Sequence, residues 1–87
     1  MIDGGYTDGE PVEGESLVLF QHHRTEIQAK LGAKHIEALK VRLQCVAGTN
    51  YKFIGKADGL EFRATVFEPL PGQGPSRVTD ARYTNAK

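Results

Sequence analysis

The side chains of this sequence that could do metal or acid–base chemistry are its three histidines and the carboxylates beside them. His23 and Glu26 lie three residues apart, which places them on one face of a helix, and His22 precedes them. A zinc site needs a third and usually a fourth ligand in tetrahedral geometry. His35 lies beyond the expected end of that helix. We therefore predict no metal site and expect His22, His23 and Glu26 to be solvated.

The one cysteine, Cys45, is the candidate nucleophile. A catalytic thiol needs an adjacent base and a group that orients the base. Cys45 alternates with Leu43 and Ala47 on the apolar face of a predicted strand, so we expect it to be a small buried hydrophobe. If it were exposed, it could be oxidised or form an intermolecular disulfide. Residues 72–74 (GQG) open no helix and lack the lysine of a phosphate-binding loop. The sequence thus predicts no enzyme and no cofactor.

Length and charge narrow the class of protein further. Eighty-seven residues are enough for one small domain, which we assign to residues 1–87. Eleven basic and eleven acidic residues give no net charge, which does not favour a nucleic-acid partner. No apolar run is long enough to span a membrane. A single cysteine and no apparent leader predict a reduced, cytoplasmic protein without a membrane partner.

The charges are unevenly distributed along the chain. Residues 1–21 contain five acids and no Lys or Arg, whereas residues 22–87 contain six acids and all eleven bases. Residues 1–12 are also rich in glycine and poor in large apolar side chains, so we predict a flexible N-terminal trunk there.

The apolar spacing predicts one helix followed by an antiparallel sheet. Leu17, Phe20, Ile27 and Leu31 form one stripe of a helix over residues 15–31, and Gly32 is a natural stop. After residue 34 the period becomes two, as in strands with one buried face, and we expect that face of the first strand to be Leu39, Val41, Leu43, Cys45 and Ala47. The predicted strands cover residues 39–47, 51–56, 60–68 and 77–84.

Two details of the predicted sheet are specific. Ile36 is out of phase with the first strand, so either that strand starts later or a bulge shifts its register. Asp58-Gly59 is a strong signal for a two-residue hairpin between the second and third strands. One helix packed across a four- to five-stranded antiparallel sheet is an α+β fold.

The predicted order of strands places two uncharged loops at the same end of the sheet. Successive turns of a meander alternate between the two ends. Residues 44–50 (QCVAGTN) and 69–76 (PLPGQGPS) therefore lie together, and neither contains a charged residue. Uncharged neighbouring loops suggest a contact surface, although turns are commonly small and neutral for backbone reasons alone.

Three segments resemble the cystatin superfamily, and in particular its stefin, or type 1, branch. Residues 44–48 (QCVAG) fit the Gln-x-Val-x-Gly signature, residues 1–5 (MIDGG) are similar to a stefin N-terminal trunk, and residues 67–73 (FEPLPGQ) are similar to the second-hairpin region. The paired cysteines and the Pro-Trp of the secreted branch are absent.

The resemblance implies a reversible, tight-binding inhibitor of papain-like, cathepsin-type cysteine proteases. In such inhibitors the trunk and two hairpin loops form a wedge that plugs the active-site cleft. The residues that the resemblance assigns to protease binding are Gly4 and Gly5 in the trunk, Gln44, Cys45, Val46, Ala47 and Gly48 in the first loop, and Leu70, Pro71 and Gly72 in the second. Gln44 could bond to the partner or to its own hairpin, and we favour the latter.

A second function stays open on the sequence: a cystatin-fold interaction module that has no inhibitory activity. The unusual Cys45, the charge of Asp3 beside the trunk glycine and an unfamiliar helix point that way. Substitution of Gly4 by a large residue would separate the two functions. We expect a monomer in the main, with a risk of a domain-swapped dimer if the turn at residues 48–51 opens.

Overall fold

The computed structural model describes residues 5–84 and confirms the predicted α+β fold. One helix precedes four strands, and the sheet order is β1-β2-β3-β4 with every neighbouring pair antiparallel. The elements are α1 (Gly14–Leu31), β1 (Ile36–Val46), β2 (Gly48–Ala57), β3 (Leu60–Glu68) and β4 (Arg77–Tyr83).

The helix has well-formed ends. At its start the backbone N–H of Glu13 donates to Ser16 Oγ, and that hydroxyl donates back to the Glu13 carbonyl. At its end Gly32 adopts a left-handed conformation with φ 66°, and its N–H donates to Ala29 O. The next N–H, of Ala33, donates to Gln28 O, which completes a Schellman motif.

The buried stripe of α1 differs from the prediction at two positions. Leu17 is 41% exposed, so its assignment to the stripe is wrong. His23 is buried, so its assignment as a solvated residue is also wrong. The stripe that faces the sheet is Ser16, Leu19, Phe20, His23, Ile27 and Leu31. The prediction for Leu17 was wrong because the run of apolar residues 17–20 fits two helical phases.

The sheet contains the bulge that the phase of Ile36 suggested. The pairing of β1 with β2 shifts between Ala38 and Lys40, which leaves Leu39 as an extra residue. Leu39 is exposed, although the alternation predicted it to be buried, because the bulge reverses the phase on which that prediction rested. Ile36 and Val41 on either side of the bulge are buried.

The core lies between α1 and one face of the sheet. Phe20 of the helix packs against Phe53 of β2, with ring centroids 5.2 Å apart. Tyr83 at the end of β4 donates its hydroxyl to Leu31 O, which links the last strand to the end of the helix. The core comprises Leu19, Phe20, Ile27, Leu31, Ile36, Val41, Phe53, Ala57, Phe62, Ala64 and Val66.

The predicted hairpin at Asp58-Gly59 is confirmed. Both residues have positive φ, 50° and 86°, as a type I′ turn requires. The Asp58 carboxylate also accepts hydrogen bonds from the backbone N–H groups of Lys34 and His35. These bonds hold the pKa of Asp58 below its ordinary value of 3.8. The hairpin is thereby tied to the connection between α1 and β1.

The segment before the helix runs along the free edge of β1. Glu10 and Val41 exchange two backbone hydrogen bonds of 2.9 Å, and Thr7 N–H donates to Leu43 O. An edge strand has unpaired backbone groups that such a segment can satisfy. The assignment of residues 1–87 to one domain with a flexible trunk over residues 1–12 stays a prediction, but residues 7–10 are hydrogen-bonded to the sheet.

Candidate functional site

The first loop is a very tight hairpin tip. The register pairs Val46 with Gly48, so Ala47 alone joins β1 to β2. The predicted turn at residues 48–50 is therefore already part of β2. Val46 and Ala47 are exposed, and Val46 offers apolar surface at the point of the hairpin.

Gly48 is required at this tip for two separate reasons. Its φ of 122° is one that residues with a side chain rarely adopt. A Cβ there would also lie 2.6 Å from Glu68 O and 2.8 Å from Phe67 Cζ. The glycine thus lets the tip of the first hairpin lie directly on the end of β3.

Gln44 supports its own hairpin, as predicted. Asn50 Nδ2 donates to Gln44 Oε1 over 2.9 Å, so the two side chains bridge β1 and β2 close to the tip. Cys45, by contrast, is exposed, and its predicted burial is wrong. Near the tip the strands extend beyond the helix-covered core, so the face that buries Val41 is open to solvent at Cys45.

The second loop is built around a turn at residues 70–73. Gln73 N–H donates to Leu70 O over 3.0 Å, and Gly72 has a φ of 82°. Proline at the second position and a positive-φ glycine at the third are the residues of a type II turn. Leu70, Pro71 and Gly72 are all exposed, so the turn presents an apolar, stiffened point to solvent.

The two loops lie side by side at one end of the sheet. The pairing of Thr49 with Glu68 joins the first residues of β2 to the end of β3. An open groove of about 920 Å³ runs between the loops and the start of the helix. It is lined by residues of both loops, including Gly48, Pro69, Leu70, Pro71 and Gly72, and by Gly14, Glu15 and Val18 of α1.

The N-terminal segment leads toward the same end of the sheet. It runs antiparallel to β1, with Glu10 opposite Val41 and Thr7 bonded to Leu43. Each step from residue 10 toward residue 5 therefore approaches the tip at Val46. Gly5 is half-buried. Gly4, the predicted trunk glycine, lies outside the described residues. The binding role of these trunk and loop residues stays a prediction.

Sequence reasoning missed one contact that positions the second loop. His23 Nε2 and Ser76 Oγ are 2.7 Å apart, which links the helix to the residue that follows the loop. His22, its neighbour in sequence, is exposed. The sequence contained a signal for the burial of His23, though not for this contact: His23 lies three residues after Phe20 and four before Ile27, so it continues their stripe.

The two loops carry no charge, but two carboxylates lie in the groove between the loops and the helix. Tyr51 of the groove is half-buried, and its pKa is raised by desolvation and then by the nearby carboxylates of Glu68 and Glu15. Within residues 5–84, no group of three or more His, Cys, Asp or Glu side chains could hold a metal ion. The helix in this part of the chain is not apolar enough over its length to cross a membrane.

Comparisons with known proteins give a consistent picture. No protein-family model matches the chain. Cystatin-A of Homo sapiens is 31% identical over 81 residues, which span 90% of this chain and 83% of Cystatin-A. The structure titled "Secreted type 1 cystatin from Fasciola hepatica" superposes with a TM-score of 0.76 at 30% identity and covers 97% of this chain and 99% of its own. The resemblance found in the motifs is confirmed.

Proposed function

Because this chain belongs to the cystatin family and has the type 1, stefin-like fold, we propose that it is a reversible, tight-binding inhibitor of papain-like cysteine proteases. The observation that supports this most is that the two exposed, uncharged loops lie next to each other at one end of the sheet. Together with the N-terminal trunk they would enter the active-site cleft of the protease. Members of this family act as inhibitors and not as enzymes.

The first loop suits such a contact because it is rigid before binding. The Gln44–Asn50 bridge and the close approach of Gly48 to Glu68 fix the tip in one conformation. A preorganised loop loses less conformational entropy on docking. Val46 and Ala47 then supply exposed apolar surface, and backbone groups at the tip can approach the cleft closely.

The second loop contributes in the same way from the neighbouring position. Pro71 restricts the turn, and Leu70, which is 51% exposed, offers the larger apolar side chain. A protease–inhibitor interface of ordinary size buries about 800 Å² on each partner. The tips of two loops and an extended trunk at one end of the sheet are sufficient to bury an area of that order.

Reversible inhibition without cleavage follows if no peptide bond of the wedge lies in attack geometry over the catalytic thiolate. A misplacement of about 1 Å can lower a reaction rate about 100-fold. The Val46–Gly48 hairpin is closed by its own strand pairing, so its backbone cannot extend into a cleft as a substrate does.

Cathepsin-type enzymes are the proposed partners, and the cytoplasm is the proposed location. The structural relative from Fasciola hepatica is described as secreted, so the type 1 fold is not confined to one compartment. A reducing compartment would keep the exposed Cys45 as a thiol. We propose that the chain acts mainly as a monomer, with domain exchange as a side reaction.

Titration of papain and of a cathepsin-L-like enzyme tests the proposal. Val46→Asp and Leu70→Asp should each weaken inhibition about 30-fold or more, because each puts a charge into a desolvated contact. Leu60→Asp is the matched control, since Leu60 is also an exposed leucine but lies at the opposite end of the sheet, beside Gly59. Absence of inhibition by the folded wild-type chain at micromolar concentration would overturn the proposal and leave an interaction module without inhibitory activity.

A further inference from the structure

The face of the sheet that the helix does not cover carries a cluster of basic side chains. These residues alternate along their strands with core residues, so they point away from α1. We call this cluster the basic face: Lys40 and Arg42 of β1, Lys52 of β2, Arg63 of β3 and Arg82 of β4. Ile54 lies at its centre and is buried although it is outside the main core.

The register places like charges opposite each other within the basic face. Arg42 pairs with Lys52, and Arg63 pairs with Arg82. Like charges at directly opposite positions destabilise a sheet. Opposite charges face each other farther along the same face, where Lys56 of β2 pairs with Glu37 of β1 on one side and with Glu61 of β3 on the other.

Most of these cations have no acidic partner in the protein. Arg82 lies 3.1 Å from the carboxylate of Asp80. Arg42 donates to Thr7 O, and the ammonium of Lys52 lies 4.3 Å from the centroid of the Tyr6 ring. Among residues 5–84, no carboxylate is within ion-pair distance of Lys40, Arg42, Lys52 or Arg63. The basic face therefore has an excess of positive charge although the chain as a whole is neutral.

The layout of the cations fits an extended anionic chain better than a single anion. Lys40 on β1 and Arg82 on β4 are separated by three strand spacings, about 14 Å. One phosphate or sulfate cannot contact cations so far apart, whereas a polymer with repeated anionic groups can. We propose that the basic face binds a linear sulfated polysaccharide that lies across the strands.

The surroundings of the cations favour a polysaccharide over a single-stranded nucleic acid. Binding of single strands relies on aromatic side chains on which bases stack. The two rows of the basic face contain no aromatic residue, since their other members are Ile54, Thr65 and Asp80. Tyr6 lies at the margin with its ring beneath Lys52. Phe67, one pair nearer the loops on the same face, has its ring 5.0 Å from the guanidinium of Arg77. The cations of the two rows therefore recognise a ligand mainly by charge.

The basic face is separate from the two loops. Lys40 is six residues before Val46 on β1, which corresponds to about 20 Å. The proposal therefore does not rest on protease inhibition. Arg42 and Lys52 contact Thr7 and Tyr6 of the trunk, so the basic face adjoins the trunk at these two cations. Such binding would leave the loops free, and it requires that some of the protein leaves the cytoplasm, as the relative from Fasciola hepatica is described as secreted.

Titration with heparin as the probe tests the proposal. Lys40→Gln combined with Arg63→Gln should weaken binding about 30-fold, from roughly 1 kcal/mol for each cation. Lys30→Gln combined with Lys34→Gln is the matched control, because it removes the same charge from exposed positions outside the sheet. This control should bind heparin as the wild type does, and both double variants should inhibit papain unchanged.

Three further arms identify the ligand. Chemically desulfated heparin, an oligothymidylate of similar length and phosphatidylserine vesicles should each bind much more weakly than heparin at physiological salt. Equal loss of heparin binding in the two double variants would overturn the proposal, as would equal binding of desulfated heparin. Preference for the oligonucleotide or the vesicles would assign the basic face to a different partner and would likewise overturn it.

Discussion

His23 of the helix and Ser76 of the segment before β4 share a hydrogen bond of 2.7 Å across 53 positions of sequence. The histidine is buried, and its Nδ1 lies 3.8 Å from the Glu26 carboxylate on the next turn. The bond ties the C-terminal end of the second loop to the helix. The other end of that loop continues directly from β3, so both of its ends are fixed.

We expect His23→Leu to weaken protease inhibition by about five- to tenfold, because a net hydrogen bond contributes about 1 kcal/mol and its loss frees the second loop. His23→Gln, whose amide can reach the same hydroxyl, should recover most of the loss. Ser76→Ala should have a similar effect, and the double variant should be no worse than either alone. His22→Leu is the control on the exposed neighbour. Additive effects of the two substitutions on the inhibition constant would contradict a shared role.

Gly48→Ala should disrupt the first loop. The added Cβ would meet both Glu68 O and the Phe67 ring, at a φ that alanine rarely adopts. We expect a loss of about 1–3 kcal/mol in unfolding free energy together with weaker inhibition. Gly59→Ala is the matched control, since Gly59 also has a positive φ, 86°, but it lies at the other end of the sheet and a Cβ added there would have no atom within 4 Å. If Gly59→Ala proves as harmful to inhibition as Gly48→Ala, the close approach of Gly48 is not what matters.

Alkylation of Cys45 should block inhibition without unfolding the protein. Cys45 is exposed beside Val46 and is the one cysteine of the chain, so a thiol reagent modifies this site alone. A bulky adduct there would obstruct entry of the first loop into a cleft. Mass spectrometry should show one adduct, and the inhibition titration should show a large loss of affinity. Cys45→Ser, treated with the same reagent, should inhibit as before. Full inhibition by the alkylated wild type would place Cys45 outside the contact.

The tie between Asp58 and the α1–β1 connection should make stability depend on pH in the acid range. The folded-state pKa of Asp58 is lowered by hydrogen bonds from Lys34 N–H and then His35 N–H. A lowered pKa means that the stabilisation is present above the unfolded value of 3.8 and is lost as pH falls through the folded value. Protonation removes the charge that these two donors favour.

Asp58→Asn tests this, because Asn-Gly still favours the same type I′ turn while the charge is gone. The variant should melt at a lower temperature than the wild type at neutral pH, and the two melting temperatures should converge as pH falls below 3.8. Asp8→Asn, which removes an exposed carboxylate from the N-terminal segment, should follow the wild type across the range. A difference between Asp58→Asn and the wild type that persists unchanged in acid would exclude the proposed cause.

Local pattern predicted most of this fold because most elements have a single consistent phase. Phe62, Ala64 and Val66 alternate without interruption and are all fully buried in β3. Asp58-Gly59 specifies its turn through two residues alone. The bulge at Leu39 was detectable only as a conflict of phase, and the pattern could not say which residues lie beyond it. Leu39 was therefore assigned to the wrong face.

The site was predictable as far as strand order and motif could specify it. Antiparallel order alone placed residues 44–50 and 69–76 together, and the Thr49–Glu68 pair confirms that arrangement. Cys45 was misplaced because alternation says which face a residue is on but not how far the helix covers that face. The His23–Ser76 bond joins residues distant in sequence, and it depends on packing that no local pattern encodes.

The central claim is that both loops and the trunk contact one partner at one end of the sheet, and a footprint on the folded protein tests this most directly. The measurement is backbone amide hydrogen exchange of this chain, alone and with papain whose catalytic thiol has been blocked. We expect protection to appear at residues 5–7, 44–49 and 69–76 together and to be absent at the Asp58-Gly59 hairpin. Protection centred on residues 57–61, or on one loop without the other, would contradict the account.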